Sequence, residues 1–253
     1  MYSYLLTYDL KIGCIHAREW ISPATVTYMM REMVENYAAH PEVVDNVDWY
    51  FMPLINPDGY EFSRTDNRMW RKTRSTTSIA GCYGADPNRN WDFHWAEGGT
   101  SSYPCSEIYT GPVPFSEIEM ANVRDAILAR ASQLRIYLTV HSYGQMLLIP
   151  WGYDAVYPED YPELEELGLA ATDALTAVYN TKYDVGCSGV IYGPAVGASD
   201  DWNKGVAGIK YSYTLELPDN GRYGFLLPAT EIMPVAVETW EFFKVLAERI
   251  SAN

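Results

Sequence analysis

From Ser22 to Tyr37 the apolar positions fall at Val26, Met29, Met30, Met33, Val34 and Tyr37. That is the i, i+3, i+4, i+7 rhythm of a helix with one buried face, with Ser22 as predicted N-cap and Pro23 at the first helical position. Leu164, Leu167, Ala171, Leu175 and Val178 mark a second helix, and Ala236, Trp240, Phe243, Ala247 and Ile250 a closing one. Ser116 and Glu119 read as a capping box ahead of Met120, Val123 and Ile127. Short apolar runs at residues 4–10, 47–55, 135–140 and 209–217 read as strands. Asn56-Pro57-Asp58-Gly59 reads as a turn, and residues 61–115 as a long irregular stretch of the kind that usually carries function. Strands alternating with helices predict an α/β fold with a mixed, largely parallel central sheet and helices on both faces. Such sheets bind ligands beyond the carboxyl ends of their strands. His16 and Glu19 fall between the first strand and its helix, His141 just past the 135–140 strand, and Glu216 near the end of the 209–217 strand. Separate stretches of chain thus bring polar groups to one rim.

At 253 residues and 48% hydrophobic, the chain suffices for one large domain, expected over 1–253. The formal charge of −15 argues against nucleic-acid binding and favours cationic partners or substrates. No segment is apolar for long enough to cross a bilayer, and the opening MYSYLLTYDLKIG lacks the features of a signal peptide. Cys82 and Cys105 lie in turn-rich sequence, where a bond between them would close a surface loop in an oxidising compartment. Cys14 and Cys187 are expected to be buried free thiols.

The spacing of His16 and Glu19, H-x-x-E, proves little alone, because this composition supplies roughly 0.5 chance matches. Convergence with His141 carries more weight. Two histidines and one glutamate form the donor set of a catalytic zinc site, with the fourth position open. His40 and His94 have no assigned role.

The stretches H-A-R-E-W-I-S, N-P-D-G-Y, N-R-M-W-R-K-T-R, D-P-N-R-N-W-D, H-S-Y, S-D-D-W, T-L-E-L and G-R-Y-G-F-L-L-P, in that order, resemble zinc carboxypeptidases of the pancreatic A/B type. The resemblance implies one zinc ion per chain on His16, Glu19 and His141, where it would acidify water and polarise a peptide carbonyl. It implies Glu216 as general base and Arg71 as stabiliser of the developing oxyanion. Asn88 and Arg89 would hold the substrate's terminal carboxylate, Tyr192 would cap it, and Arg18 and Arg68 would make further substrate contacts. Peptide and protein C-termini are the implied partners, the location secreted, and a monomer expected.

In that family an acidic residue at the base of the specificity pocket goes with removal of Lys or Arg, and an apolar one with removal of aromatic or aliphatic residues. The deciding position here is Asp200, or Asp201 if the loop is re-registered. The alternatives are aromatic or aliphatic specificity, or an inactive shortened fragment that binds only zinc or peptide. The resemblance also implies edge strands and a first helix ahead of the strand leading to H-x-x-E, which this chain lacks, so an N-terminally shortened domain without a pro-segment is expected.

Overall fold

A computed structural model describes residues 7–45 and 47–251. Among the described residues, six strands form one sheet: β1 Thr7–Gly13, β2 Val47–Met52, β3 Leu134–Ser142, β4 Met146–Ile149, β5 Asp184–Cys187 and β6 Tyr211–Leu217. Their order is β2-β1-β3-β6-β4-β5, and every neighbouring pair is parallel except β4 with β6. The helices are α1 Ile21–Glu35, α2 Pro41–Val44, α3 Pro57–Thr65, α4 Ile118–Leu128, α5 Tyr161–Tyr179, α6 Ser188–Ile191, α7 Ser199–Gly205 and α8 Ile232–Ser251. The predicted α/β sheet is therefore present. Residues 4–6 of the first predicted strand lie outside the described residues.

Side-chain alternation divides the core. Ile136, Leu138 and Val140 of β3, with Tyr211, Tyr213, Leu215 and Leu217 of β6, pack on α1, α5 and α8. The opposite face carries Tyr137, which packs with residues of α4 and with Trp91 and Trp202. Thr139 and His141 share that face of β3, and Ser212, Thr214 and Glu216 share it on β6. The two central strands thus devote one face to the larger apolar core, while the other passes from the Tyr137 cluster to polar groups towards the strand ends. Met29, Met33, Val43, Trp240 and Phe243 form a third cluster, where α1, α2 and α8 meet.

Several local expectations are corrected. Ser22 does not cap α1, which starts two residues earlier than expected, at Ile21 behind Trp20. Its hydroxyl instead donates to Val140 O at 2.6 Å and accepts from Cys14 N at 2.9 Å. Asn56-Pro57-Asp58-Gly59 is not a free turn. It opens α3, with Asn56 Oδ1 accepting from Gly59 N at 3.1 Å and Pro57 in the first turn, because a turn and a helix start use the same chemistry. Ser116 and Glu119 form no capping box. Glu117 precedes α4, and the Ser116 hydroxyl donates to Glu117 Oε1 at 3.1 Å. His141 lies within β3, not past its end.

Residues 66–117 cross the sheet rim without a helix or named strand. The Cys82–Cys105 disulfide ties this stretch, a closure that contributes about 3 kcal/mol in the chain-entropy account. Cys14 and Cys187 are free and buried. No helix among the described residues is long and apolar enough to cross a membrane.

Candidate active site

β1 ends in the loop that bears His16 and Glu19, and neighbouring segments fix that loop. Asn56 Nδ2 donates to Ile15 O at 3.0 Å, and Ala17 N donates to Arg71 O at 3.0 Å. β3 delivers His141 beside it. The donor atoms of His16, Glu19 and His141 all lie within 4.8 Å of one another, and all three residues are buried. His16 Nδ1 is 2.7 Å from Glu19 Oε1, His141 Nδ1 is 3.1 Å from Glu19 Oε2, and the two Nδ1 atoms are 3.2 Å apart.

The outer ring nitrogens have partners of their own. His16 Nε2 is 3.0 Å from Asp86 Oδ1, and His141 Nε2 is 3.0 Å from Thr139 Oγ1. Asp86 as a carboxylate only accepts, so the His16 ring proton belongs on Nε2. The Thr139 hydroxyl can receive a His141 Nε2 proton in the same way. Both Nδ1 lone pairs then face the Glu19 carboxylate. Lone pairs at these separations repel unless a cation lies between them. A tetrahedral zinc with ligands at about 2.0 Å needs them about 3.3 Å apart. The residues present therefore fit zinc. Burial opposes ionisation of Glu19, but His16 and His141 hold its carboxyl well below the usual range.

Asp86 joins the metal cluster to Arg71. Its Oδ2 accepts from Arg71 Nε at 3.1 Å and Nη2 at 2.9 Å, and its Oδ1 also accepts from Asn88 N at 2.9 Å. Burial works against the Arg71 charge, yet Asp86 and Glu19 keep its pKa above the ordinary value. The reading of D-P-N-R-N-W for Asn88 and Arg89 missed Asp86. The available signal was an acid inside a motif already suspected of function. Asp86→Asn should weaken zinc binding by about 10- to 100-fold, as measured by competition with a chromophoric chelator. Unchanged affinity would show that His16 is oriented by other contacts.

A cleft of about 660 Å³ opens over the cluster. His16, Glu19, Arg71, Asn88, Arg89, His141, Tyr192, Asp200 and Glu216 all line it, so nine of the eleven predicted catalytic, metal and substrate residues meet there. Glu216 is the cross-strand partner of His141 in the β3–β6 register. Burial pushes its carboxyl up to about 7. Arg89 is half-buried, its Nη1 donates to Asn88 O at 2.6 Å, and its buried Nε has no partner among the described residues. Asn88 Oδ1 accepts from Ser199 N at 2.9 Å, which fixes the side-chain amide. Tyr192 is 53% exposed at the mouth, and burial of its hydroxyl end pushes it up to about 12, so it stays a neutral donor.

The two acids of S-D-D-W stand in the first turn of α7, a seven-residue helix too short for its periodicity to be read. Asp200 lines the cleft and accepts from Thr214 Oγ1 at 3.0 Å. Asp201 turns away, accepting from Gly152 N at 2.8 Å and Tyr153 N at 2.8 Å. Arg18 and Arg68 are not among the residues lining the cleft. Arg18 donates to Met69 O and Glu107 and covers the Phe225 ring at 4.2 Å. Arg68 donates to Arg18 O and Phe225 O and stacks on Trp20. Both brace the rim beside Phe225. His40 packs on Trp240 and His94 on Tyr153, outside the cleft.

Residues 10–242 match the family model described as zinc carboxypeptidase. Carboxypeptidase B of Astacus astacus is 56% identical over 93% of this chain and 78% of its own length. Carboxypeptidase A2 of Rattus norvegicus is 45% identical over 93% of this chain, which spans 57% of the rat protein. Among solved structures, bovine thrombin-activatable fibrinolysis inhibitor, in complex with tick carboxypeptidase inhibitor, superposes with a TM-score of 0.93 at 36% identity, over 98% of this chain and 83% of that one. With its buried His16–Glu19–His141 cluster at the foot of a cleft and a family match over nearly its whole length, this chain belongs to the zinc carboxypeptidase family.

Proposed function

We propose that this chain removes C-terminal lysine and arginine from peptides and proteins in a zinc-dependent reaction. The observation that carries the specificity is Asp200, 4% exposed, lining the cleft with a single neutral side-chain partner, the Thr214 hydroxyl. Burial pushes its carboxyl above the usual range, as befits an acid that awaits a counter-charge. A substrate guanidinium or ammonium supplies that charge. Overall identity does not choose between the specificities, since relatives named carboxypeptidase B and A2 both match across the chain.

His16, Glu19 and His141 would hold the zinc ion, which when bound supplies Lewis-acid chemistry. The protein's own groups do the rest. Arg89 carries a buried Nε–H without a partner, suited to a terminal carboxylate. Asn88 adds a fixed amide beside it, and Tyr192 caps the mouth. An internal peptide bond brings no carboxylate to Arg89, whose buried Nε–H would stay without an acceptor, so endoproteolysis is disfavoured. Arg71, clamped on Asp86, presents a fixed positive charge where the carbonyl oxygen becomes negative. Glu216 accepts a proton from the attacking water and returns it to the leaving amine. The net charge of −15 attracts basic C-termini. The Cys82–Cys105 bond fits work outside the cell, where disulfides persist.

A mass-spectrometric time course on matched peptides ending in Arg, Lys, Phe and Leu tests this reading. Arg and Lys should be released first, a chelator should stop release, and added zinc should restore it. Faster loss of Phe or Leu would overturn the specificity, and chelator-resistant cleavage would overturn the metal dependence.

A further inference from the structure

A second cavity, of about 370 Å³, lies among the end of α5, α8 and the chain that follows β6. That volume is within the range of small-molecule sites. Its lining shares no residue with the catalytic cleft. Glu238 of α8 lines it and is only 2% exposed. The Thr181 hydroxyl donates to Glu238 Oε2 at 2.6 Å. No basic side chain among the described residues pairs with Glu238, and burial pushes its carboxyl up to about 7. The Tyr183 hydroxyl, outside this lining, is buried without a partner among the described residues and feels the Glu238 charge.

A buried acid with one neutral side-chain partner is costly unless a cation completes it. The rest of the lining suits one. The Tyr179 ring lines the cavity, and Asp219 and Glu231 add negative charge. Arg222, the only basic residue among the described residues of the lining, lies over the Tyr223 ring at 5.0 Å and pairs with no carboxylate among the described residues. We propose that this cavity is a second binding site, for a small organic cation with a guanidinium or ammonium head on a short carbon stem, seated on Glu238. The head group donates to the carboxylate, and the stem runs out past the Tyr179 ring. Leu217 O accepts from Gly144 N at 3.1 Å, and the chain continues through this cavity wall to Asn220 and Phe225 of the catalytic cleft. An occupant would therefore brace one wall of that cleft.

Agmatine is the probe, titrated calorimetrically into the zinc-loaded protein. The unmodified chain should bind two agmatines, one at Asp200 and one at Glu238. Asp200→Asn should keep one site, and adding Glu238→Gln should weaken it by at least about 30-fold. Glutamine preserves the acceptor for Thr181, and thermal unfolding reports whether the fold survives. Should Glu238→Gln fail to fold, Tyr179→Ala, at a ring 57% exposed, should weaken the Asp200→Asn site by about 3-fold. The proposal is overturned if Asp200→Asn protein binds no agmatine, or if its remaining site is indifferent to Glu238→Gln or, in its place, to Tyr179→Ala. If the unmodified chain binds a single agmatine that Glu238→Gln abolishes, the second site stands and the basic specificity of the catalytic cleft fails.

Discussion

Glu216→Gln should cut kcat by about 1000-fold or more while zinc content stays at one ion per chain. The position explains both halves. Glu216 is paired in register with His141 on the adjacent strand, so its carboxyl reaches the cluster without being one of the three converging donors. Glutamine keeps the shape and an acceptor oxygen but cannot take a proton from water. Burial pushes the Glu216 carboxyl up to about 7, which makes both proton states accessible near neutrality, as a group that takes a proton and returns it requires. The charged form is the active one for attack, so kcat should fall as pH drops through the Glu216 titration. Steady-state kinetics and metal analysis on the same preparation decide the matter. Turnover within tenfold of the unsubstituted protein would remove Glu216 from the base role, and zinc lost along with turnover would make it a ligand.

The parts of this site legible in the sequence are those where one residue type has one chemical use. His16, Glu19 and His141 could be read because two imidazoles and a carboxylate at strand ends point to a metal. The long elements were legible for a related reason. The stripes of α5 and α8 repeat over enough turns to show their period, whereas in α1 the predicted face holds at Val26, Met29 and Met33 but Val34 is exposed and Tyr37 lies past the helix end. β4 and β5, four residues each, and α7, seven residues, are too short to show one. Asp86 was hidden because its role depends on a contact 70 residues away, with His16. Glu238 was hidden because nothing local marks a helical acid as buried. Polar groups that act through distant neighbours leave no periodic trace.

Asp200→Ile should shift preference from arginine towards leucine and phenylalanine by about 30- to 1000-fold, read as the ratio of kcat/KM values on matched peptides. The magnitude follows from desolvation. A guanidinium entering the cleft gives up water, and a buried carboxylate repays it; an isoleucine does not. An apolar side chain placed against Asp200 leaves a buried acid with only the Thr214 hydroxyl, and against isoleucine it meets a matching wall. Asp201→Asn provides the contrast. Asp201 is fully buried and accepts from Gly152 N and Tyr153 N, so its substitution should lower the unfolding temperature and leave the Arg-to-Leu ratio nearly unchanged. The reverse pattern, with specificity following Asp201 and stability following Asp200, would mean that the first turn of α7 is rotated in the working enzyme. No change in the ratio from either substitution would place the selection of the terminal residue elsewhere in the cleft.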